Sequence, residues 1–404
     1  MKKLIVFAML VQVYGVSYAQ PVMVTGSQKP MPAVWIDQDT GHKVMRLSGK
    51  TGAIGNWYFH NNPFFKQKGK EGDKMVFAES DGQTRQIFAL NLATMAVEQL
   101  TTGSSPKRLL AMSAQKSREF IYQVGDSVFA GSIDTKRSRL AVVLPADKKG
   151  GISTVNADAT YFAGKLNNDE ERKILQQYPQ KSQYFNRIYD AHLLNSIFTI
   201  EAKTGAMKVI HEENNWLGHI QFSPTDPNIL LFCHEGPWEK VDRIWRYNIA
   251  STETTLMHKR TMPMEIAGHE FFSPKGETIW FDLQKPKGKT FFLSGTDVKT
   301  GKEVATYEMT ANEWSIHFAT TPSQDLFAGD GGDPTQVARA ADGMWIYAFY
   351  PDGKKFRSER LVNMKGHDYR ALEPNVHITP DNKWVVFGGT FEGTRETYAV
   401  QIGR

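Results

Sequence analysis

One phrase returns along this chain, and its period constrains the fold more than any other feature. It reads FSPTDPNILLF at 222–232, FFSPKGETIWF at 271–281, TTPSQDLFAGD at 320–330 and ITPDNKWVVFG at 378–388. Pro224, Pro274, Pro322 and Pro380 mark it at spacings of 50, 48 and 58 residues. Weaker copies stand at 68–80, 111–124 and 153–164. Each copy is a strand, a polar turn and a second strand rich in β-branched and aromatic residues, followed by turns such as AKTGAM (202–207), VKTGKE (298–303) and YPDGKK (350–355). Four short strands in about 45 to 50 residues make one propeller blade. The spacing therefore predicts an all-β, seven-bladed β-propeller forming a single domain over 20–404, with a pair of β-sandwiches or a solenoid as the alternatives. The segment NNDEERKILQQYPQ (167–180) breaks the pattern. Its spacing of Ile174 and Tyr178 predicts a short helix inserted over one face of the ring.

The first 20 residues, MKKLIVFAMLVQVYGVSYAQ, carry two lysines, an apolar run and a small-residue cleavage site at Ser17-Tyr18-Ala19. That is the pattern of a secretory signal peptide over 1–19, too short for a membrane span. An exported, periplasmic or secreted protein is the expectation. Cys233 is the only cysteine, so no intrachain disulfide is available and packing alone must hold the fold. Without Lys2 and Lys3 the formal charge falls from +5 to +3, with charges interspersed. Such weak basicity admits a small acidic ligand but gives no nucleic-acid footprint.

A propeller gathers the inner strand of every blade around one funnel. Polar residues just before each Ser-Pro or Thr-Pro phrase therefore converge there. His219 precedes Ser223-Pro224, His269 precedes Ser273-Pro274, His317 precedes Thr321-Pro322 and His377 precedes Thr379-Pro380. Four consecutive blades thus present a histidine at nearly one level. A single such ring is usually an ordinary buried imidazole. Four in phase with a repeat point to a metal site, acid–base work or both. Strand alternation would put Glu373, Asn375 and His377 on one face, an oxygen and nitrogen set suited to Mn²⁺, Zn²⁺ or Ca²⁺. No GxSxG, P-loop glycine pattern, HExxH or cysteine pair is present, which removes the usual serine hydrolases, nucleotide enzymes and zinc proteases.

The runs GHIQFSPTDPNILLFCHEGPWEKVDRIW (218–245), RTMPMEIAGHEFFSP (260–274), LFAGDGGD (326–333) and HDYRALEPNVHITPDNKWVVF (367–387) resemble the oligogalacturonate lyase family of seven-bladed propellers. The likeness extends over about residues 30 to 404 and is densest after 218. It implies β-elimination of short oligogalacturonides, small anionic oligosaccharides, assisted by a divalent metal, Mn²⁺. Carried over by local motif, it gives His269 as the base, Arg243 as the guanidinium beside the uronate and His317 as a metal ligand. Where better-known members read Gln-x-x-His-x-His, this chain has Arg370, Glu373 and Asn375. The resemblance then implies a rebuilt metal set of His317, Glu373, Asn375 and either His377 or His367, which favours Mn²⁺ and admits Ca²⁺. His219 is expected at the substrate. His234 lines the pocket with Glu235 or fixes backbone there. Cys233 is expected in the core, and Trp238 or Trp314 at the funnel rim. Two rival readings keep the architecture: a lyase for another uronate glycan, and a non-catalytic periplasmic propeller scaffold.

Overall fold

The structure, a computed structural model, describes residues 20–47, 57–67, 72–80, 83–145 and 150–403. The expected signal peptide, 1–19, lies outside the described residues. The described strands form four separate four-stranded sheets, one six-stranded sheet and one of eight strands. The eight-stranded sheet is two blades, since a single parallel bridge between Glu308 and Lys355 joins its halves. Counted so, seven blades surround one axis.

Each blade is an antiparallel meander, and burial falls from its inner strands to its edge. In the blade built from Leu217–Phe222, Ile229–His234, Ile244–Asn248 and Glu253–Leu256, the second strand is buried throughout while Glu253 at the edge is exposed. Neighbouring blades cover that strand on both faces, so it reads ILLFCH with almost no polar alternation. The turns are where the sequence placed them. In DVKTG the Asp297 carboxylate accepts hydrogen bonds from the backbone N–H groups of Lys299 and Thr300, and Gly301 takes the left-handed conformation at φ 68°.

The ring closes with strands from both ends of the chain. Val34–Asp37 and Lys43–Arg46 join Trp384–Gly389 and Glu396–Gln401 in one sheet, with Val44 opposite Val400. Closure of this kind hides the edges that a free blade would expose.

The interruption at 167–180 is a helix, Asp169–Gln177, whose first turn is capped by Asn168. A second helix, Lys181–Asp190, follows and was not legible in the spacing. It brings Tyr189 against Gly236: a Cβ on that glycine would lie 2.4 Å from the tyrosine ring. The insertion thus packs on CHEGP itself, at the mouth of the funnel where the histidines gather.

Candidate active site

The inner strands are not regular where the histidines occur. Pairing slips between Gly218 and Gln221 in one blade and between Gly268 and Phe271 in the next. His219 and His269 sit in these bulges with φ 47° and 53°. A bulge re-aims one side chain without breaking the strand, and a non-glycine residue at positive φ persists only where its surroundings hold it. His219, His269 and His317 each stand four residues before the Ser or Thr of their phrase, and Asn375 does too. Asn375 shares the left-handed backbone at φ 53°. The fourth member of the phased set is therefore Asn375, and His377 lies one step nearer the opposite mouth.

His317 is fully buried and gripped by Asp330, whose carboxylate accepts from the backbone N–H and from Nδ1, both at 2.8 Å. Its Nε2 has no hydrogen-bond partner and points toward Glu373, whose Oε2 is 3.7 Å away. One ring nitrogen held by a carboxylate and the other left open is the arrangement of a metal-ligating histidine. Phe59 stacks on the same ring at 4.6 Å, and His269 meets it edge-on at 5.0 Å. Burial, then His317, Arg243 and His219, hold the half-buried His269 well below the ordinary imidazole range, so the ring is neutral. Its Nδ1 is buried without a partner.

Arg243 is buried beside them. Its Nε donates to Glu270 at 2.8 Å, and its terminal nitrogens donate to the two oxygens of Glu235 at 3.1 and 3.4 Å. His219 completes the group, with Nε2 3.1 Å from Glu235 and Nδ1 3.8 Å from Glu270. Burial alone would raise the Glu235 carboxyl, but Arg243 and His219 hold it well below the usual range. Three of the five guanidinium donors are thus already committed. The expected open carboxylate clamp is instead a buried tie between two glutamates. His219, Cys233 and Glu235 also bring donor atoms within 4.8 Å of one another, yet Arg243 occupies the place of a cation there, and burial keeps the Cys233 thiol protonated.

Four other expectations change. His367 has both ring nitrogens engaged, Nε2 on the Leu372 carbonyl and Nδ1 with Thr390, and is a structural residue. Asn375 accepts from the Phe59 backbone N–H at 3.0 Å and donates to the Glu373 carbonyl at 2.8 Å. Its left-handed backbone also ends the alternation that would have aligned Glu373, Asn375 and His377. His377 faces a separate cavity of about 400 Å³ at the other end of the channel, lined also by His60, Gln221 and Thr320. His234 lies on the opposite face of its strand from Cys233, paired with Glu213 at 2.7 Å and stacked on Trp245. Trp238 does stand at the pit, 5.8 Å from His269, whereas Trp314 is core, donating to Asp282.

A family model described as oligogalacturonate lyase matches residues 23–404. The chain belongs to the oligogalacturonate lyase family. Membership places it among the polysaccharide lyases. The oligogalacturonate lyase of Dickeya dadantii is 25% identical over 382 residues, covering 91% of this chain and 95% of that protein. Two solved structures share its fold at 23% identity, each covering 92% of this chain and 96% of the other. One is an oligogalacturonate lyase in complex with manganese, at a TM-score of 0.76, and the other is the oligogalacturonate lyase of Vibrio parahaemolyticus, at 0.77.

Within this oligogalacturonate lyase family member, sequence reasoning missed three residues of the pit, Asp330, Glu270 and Tyr58, and with them His60 on the far cavity. Asp330 sits in the noted LFAGDGGD run, where an aspartate flanked by glycines is a signal of its own. Glu270 follows the bulged histidine directly. Tyr58 and His60 precede no Ser-Pro or Thr-Pro phrase; WYFHNN (57–62) crosses the channel, and only its unusual density of rings marks it. Burial, then Glu373 and Glu270, push the Tyr58 phenol well above its ordinary value. Burial, then His219 and His317, push His60 down to about 3.

Proposed function

We propose that this protein cleaves short oligogalacturonides by β-elimination, with His269 as the base and with Mn²⁺ held by His317 and Glu373. The reading is carried by one observation above the rest: the neutral ring of His269 stands 5.0 Å from that of His317, at a common mouth. Neutrality gives His269 a lone pair for the C5 proton at ordinary pH, and a positioned base of this kind contributes about 10² to 10⁴ in rate. The charge balance of the pit supports a cation. Glu235 and Glu270 pair with the guanidinium of Arg243, while Asp330 and Glu373 stand against His317, so among these groups four carboxylates share one guanidinium. A uronate would be repelled by that set unless a divalent ion joined it.

The donor set fits in part: His317 and Glu373 are suited to a divalent ion of intermediate hardness, while Asn375 and His367 are engaged elsewhere. When bound, such an ion neutralises the substrate carboxylate, whose charge otherwise resists formation of a carbanion beside it. Asp330 keeps His317 in the tautomer with an open Nε2. Glu235 and Glu270 hold Arg243 in place, so its positive charge is fixed beside the pit. Trp238 offers a ring face beside His269 for a sugar.

The mature chain, incubated with di- to hexagalacturonides and Mn²⁺, should give the ultraviolet absorbance of the unsaturated product. Chelation should abolish it, and His269→Ala should lower it by about 10² to 10⁴. No product from galacturonides but product from a glucuronide or mannuronide oligomer would reassign the substrate. No product from any uronate would leave a binding propeller. Residues 1–19 are proposed to direct export, tested by fractionating cells that express the full chain.

A further inference from the structure

Elimination needs two proton transfers, and the reading above supplies only one. In a 4-linked galacturonide H5 and O4 are trans-diaxial. The base therefore works on one face of the sugar while the oxygen departs from the other, and a departing sugar alkoxide is too basic to leave readily without a proton. His269 cannot reach both sides at once.

Two other proton donors stand in the pit. His219 has one ring nitrogen 3.1 Å from Glu235 and the other 3.8 Å from Glu270, so both nitrogens are turned to carboxylates. Tyr58 is placed differently. Its ring lies 5.3 Å from that of His317 and 5.8 Å from that of His219, edge-on or tilted to each. Among the described residues its hydroxyl makes no hydrogen bond, and the residue is half-buried. His317 meets both His269, at 5.0 Å, and Tyr58, at 5.3 Å, each ring edge-on to its own. A uronate seated over His317 therefore has both an imidazole and a phenol beside it.

We infer that Tyr58 is the general acid of the elimination, giving its phenolic proton to O4 of the departing saccharide while His269 takes the proton from C5. The C5–H bond breaks and its electron pair forms the C4=C5 double bond. The C4–O4 bond breaks and O4 takes the phenolic proton, becoming the hydroxyl of the released saccharide. The tyrosinate and imidazolium left behind exchange protons with solvent, so no oxidant or co-reactant is needed. Backbone geometry keeps the ring in place, since the Tyr58 carbonyl accepts from the Asn61 N–H at 2.9 Å and the next residue, Phe59, donates to Asn375.

This assignment rests on the lyase reading, and leaving-group chemistry separates the two. Wild type, Tyr58→Phe and His269→Ala, each with Mn²⁺, are compared on trigalacturonate and on a galacturonide carrying 4-nitrophenoxide at C4, which departs without a proton. Tyr58→Phe should lose about 10² to 10³ in kcat on the trisaccharide, with KM within about threefold, yet stay within about threefold of wild type on the aryl substrate. His269→Ala should fail on both. Tyr58→His, which restores a donor, should recover part of the trisaccharide rate and serves as a second variant should the phenylalanine form not fold. Equal losses on both substrates would make Tyr58 a positioning residue, and no loss on the trisaccharide would remove it altogether; either overturns the assignment. If wild type opens neither substrate, the lyase reading falls and takes the acid with it.

Discussion

Asp330 holds His317 at two points, Oδ1 on the backbone N–H and Oδ2 on Nδ1, each at 2.8 Å. The second contact fixes which ring nitrogen carries the proton and leaves Nε2 as a lone-pair donor. Asparagine in its place can turn its amide toward Nδ1, which then accepts and transfers the proton to Nε2. Asp330→Asn should therefore weaken Mn²⁺ binding by about 10- to 100-fold. Calorimetric titration of the metal-free protein reads this directly, and an unchanged affinity would remove His317 from the metal.

Arg243 is surrounded by the carboxylates it neutralises. Removing it leaves the buried Glu270 and the half-buried Glu235 with no guanidinium, the situation in which losing one partner of a buried pair is most damaging. Arg243→Met should destabilise the fold by about 3 to 5 kcal/mol in urea unfolding. Adding Glu270→Gln to that variant should recover part of the loss, because one uncompensated charge is then gone. A single variant as stable as wild type would show that the tie is not structural.

The period of the Ser-Pro and Thr-Pro phrases was enough to read the propeller, because every blade repeats one hydrophobic and turn pattern. His269 and His317 were legible for the same reason: they are phased with it. His377 was misplaced because sequence phase was counted by residue type, while the backbone counts positions and puts Asn375 at that level. His234 was misread because a side chain's face depends on where its strand begins, and CHEGP alone does not say. Tyr58 and His60 come from the segment crossing the channel, which has no counterpart in the other blades, so a search by repeat passes over it.

His377 gives the fold a dependence on pH. Burial pushes its ring down to about 4, although the carbonyls of Asn375, Tyr58 and Asn61 pull the other way. The unfolded imidazole titrates near its ordinary 6.5. Between those values the unfolded chain binds a proton that the folded chain refuses, so stability is unaffected above that upper value and falls as pH drops toward the lower one. The shift corresponds to about 3 kcal/mol. Unfolding free energies from urea titration at pH 7 and pH 4 should differ less for His377→Gln than for wild type by about that amount, and identical pH dependence in the two proteins would contradict the burial argument.

His234 tests the face assignment of the strand Ile229–His234. Its Nε2 pairs with Glu213 and its ring stacks on Trp245, 4.9 Å away, while Cys233 on the other face approaches Glu235 at the pit. Phenylalanine keeps the stacking and removes the nitrogen, leaving Glu213 with His211 as its remaining imidazole partner at 3.2 Å. His234→Phe should therefore cost about 1 to 2 kcal/mol in stability, the loss of one charge-assisted hydrogen bond that is partly open to water. Its kcat/KM on trigalacturonate should stay within about twofold of wild type, since among the described residues its ring meets Glu213, Trp245 and Phe232. Glu235→Gln, one residue further on, should by contrast lower activity, because it loosens both Arg243 and His219. A loss in His234→Phe as large as that in Glu235→Gln would mean that the imidazole turns to the substrate after all.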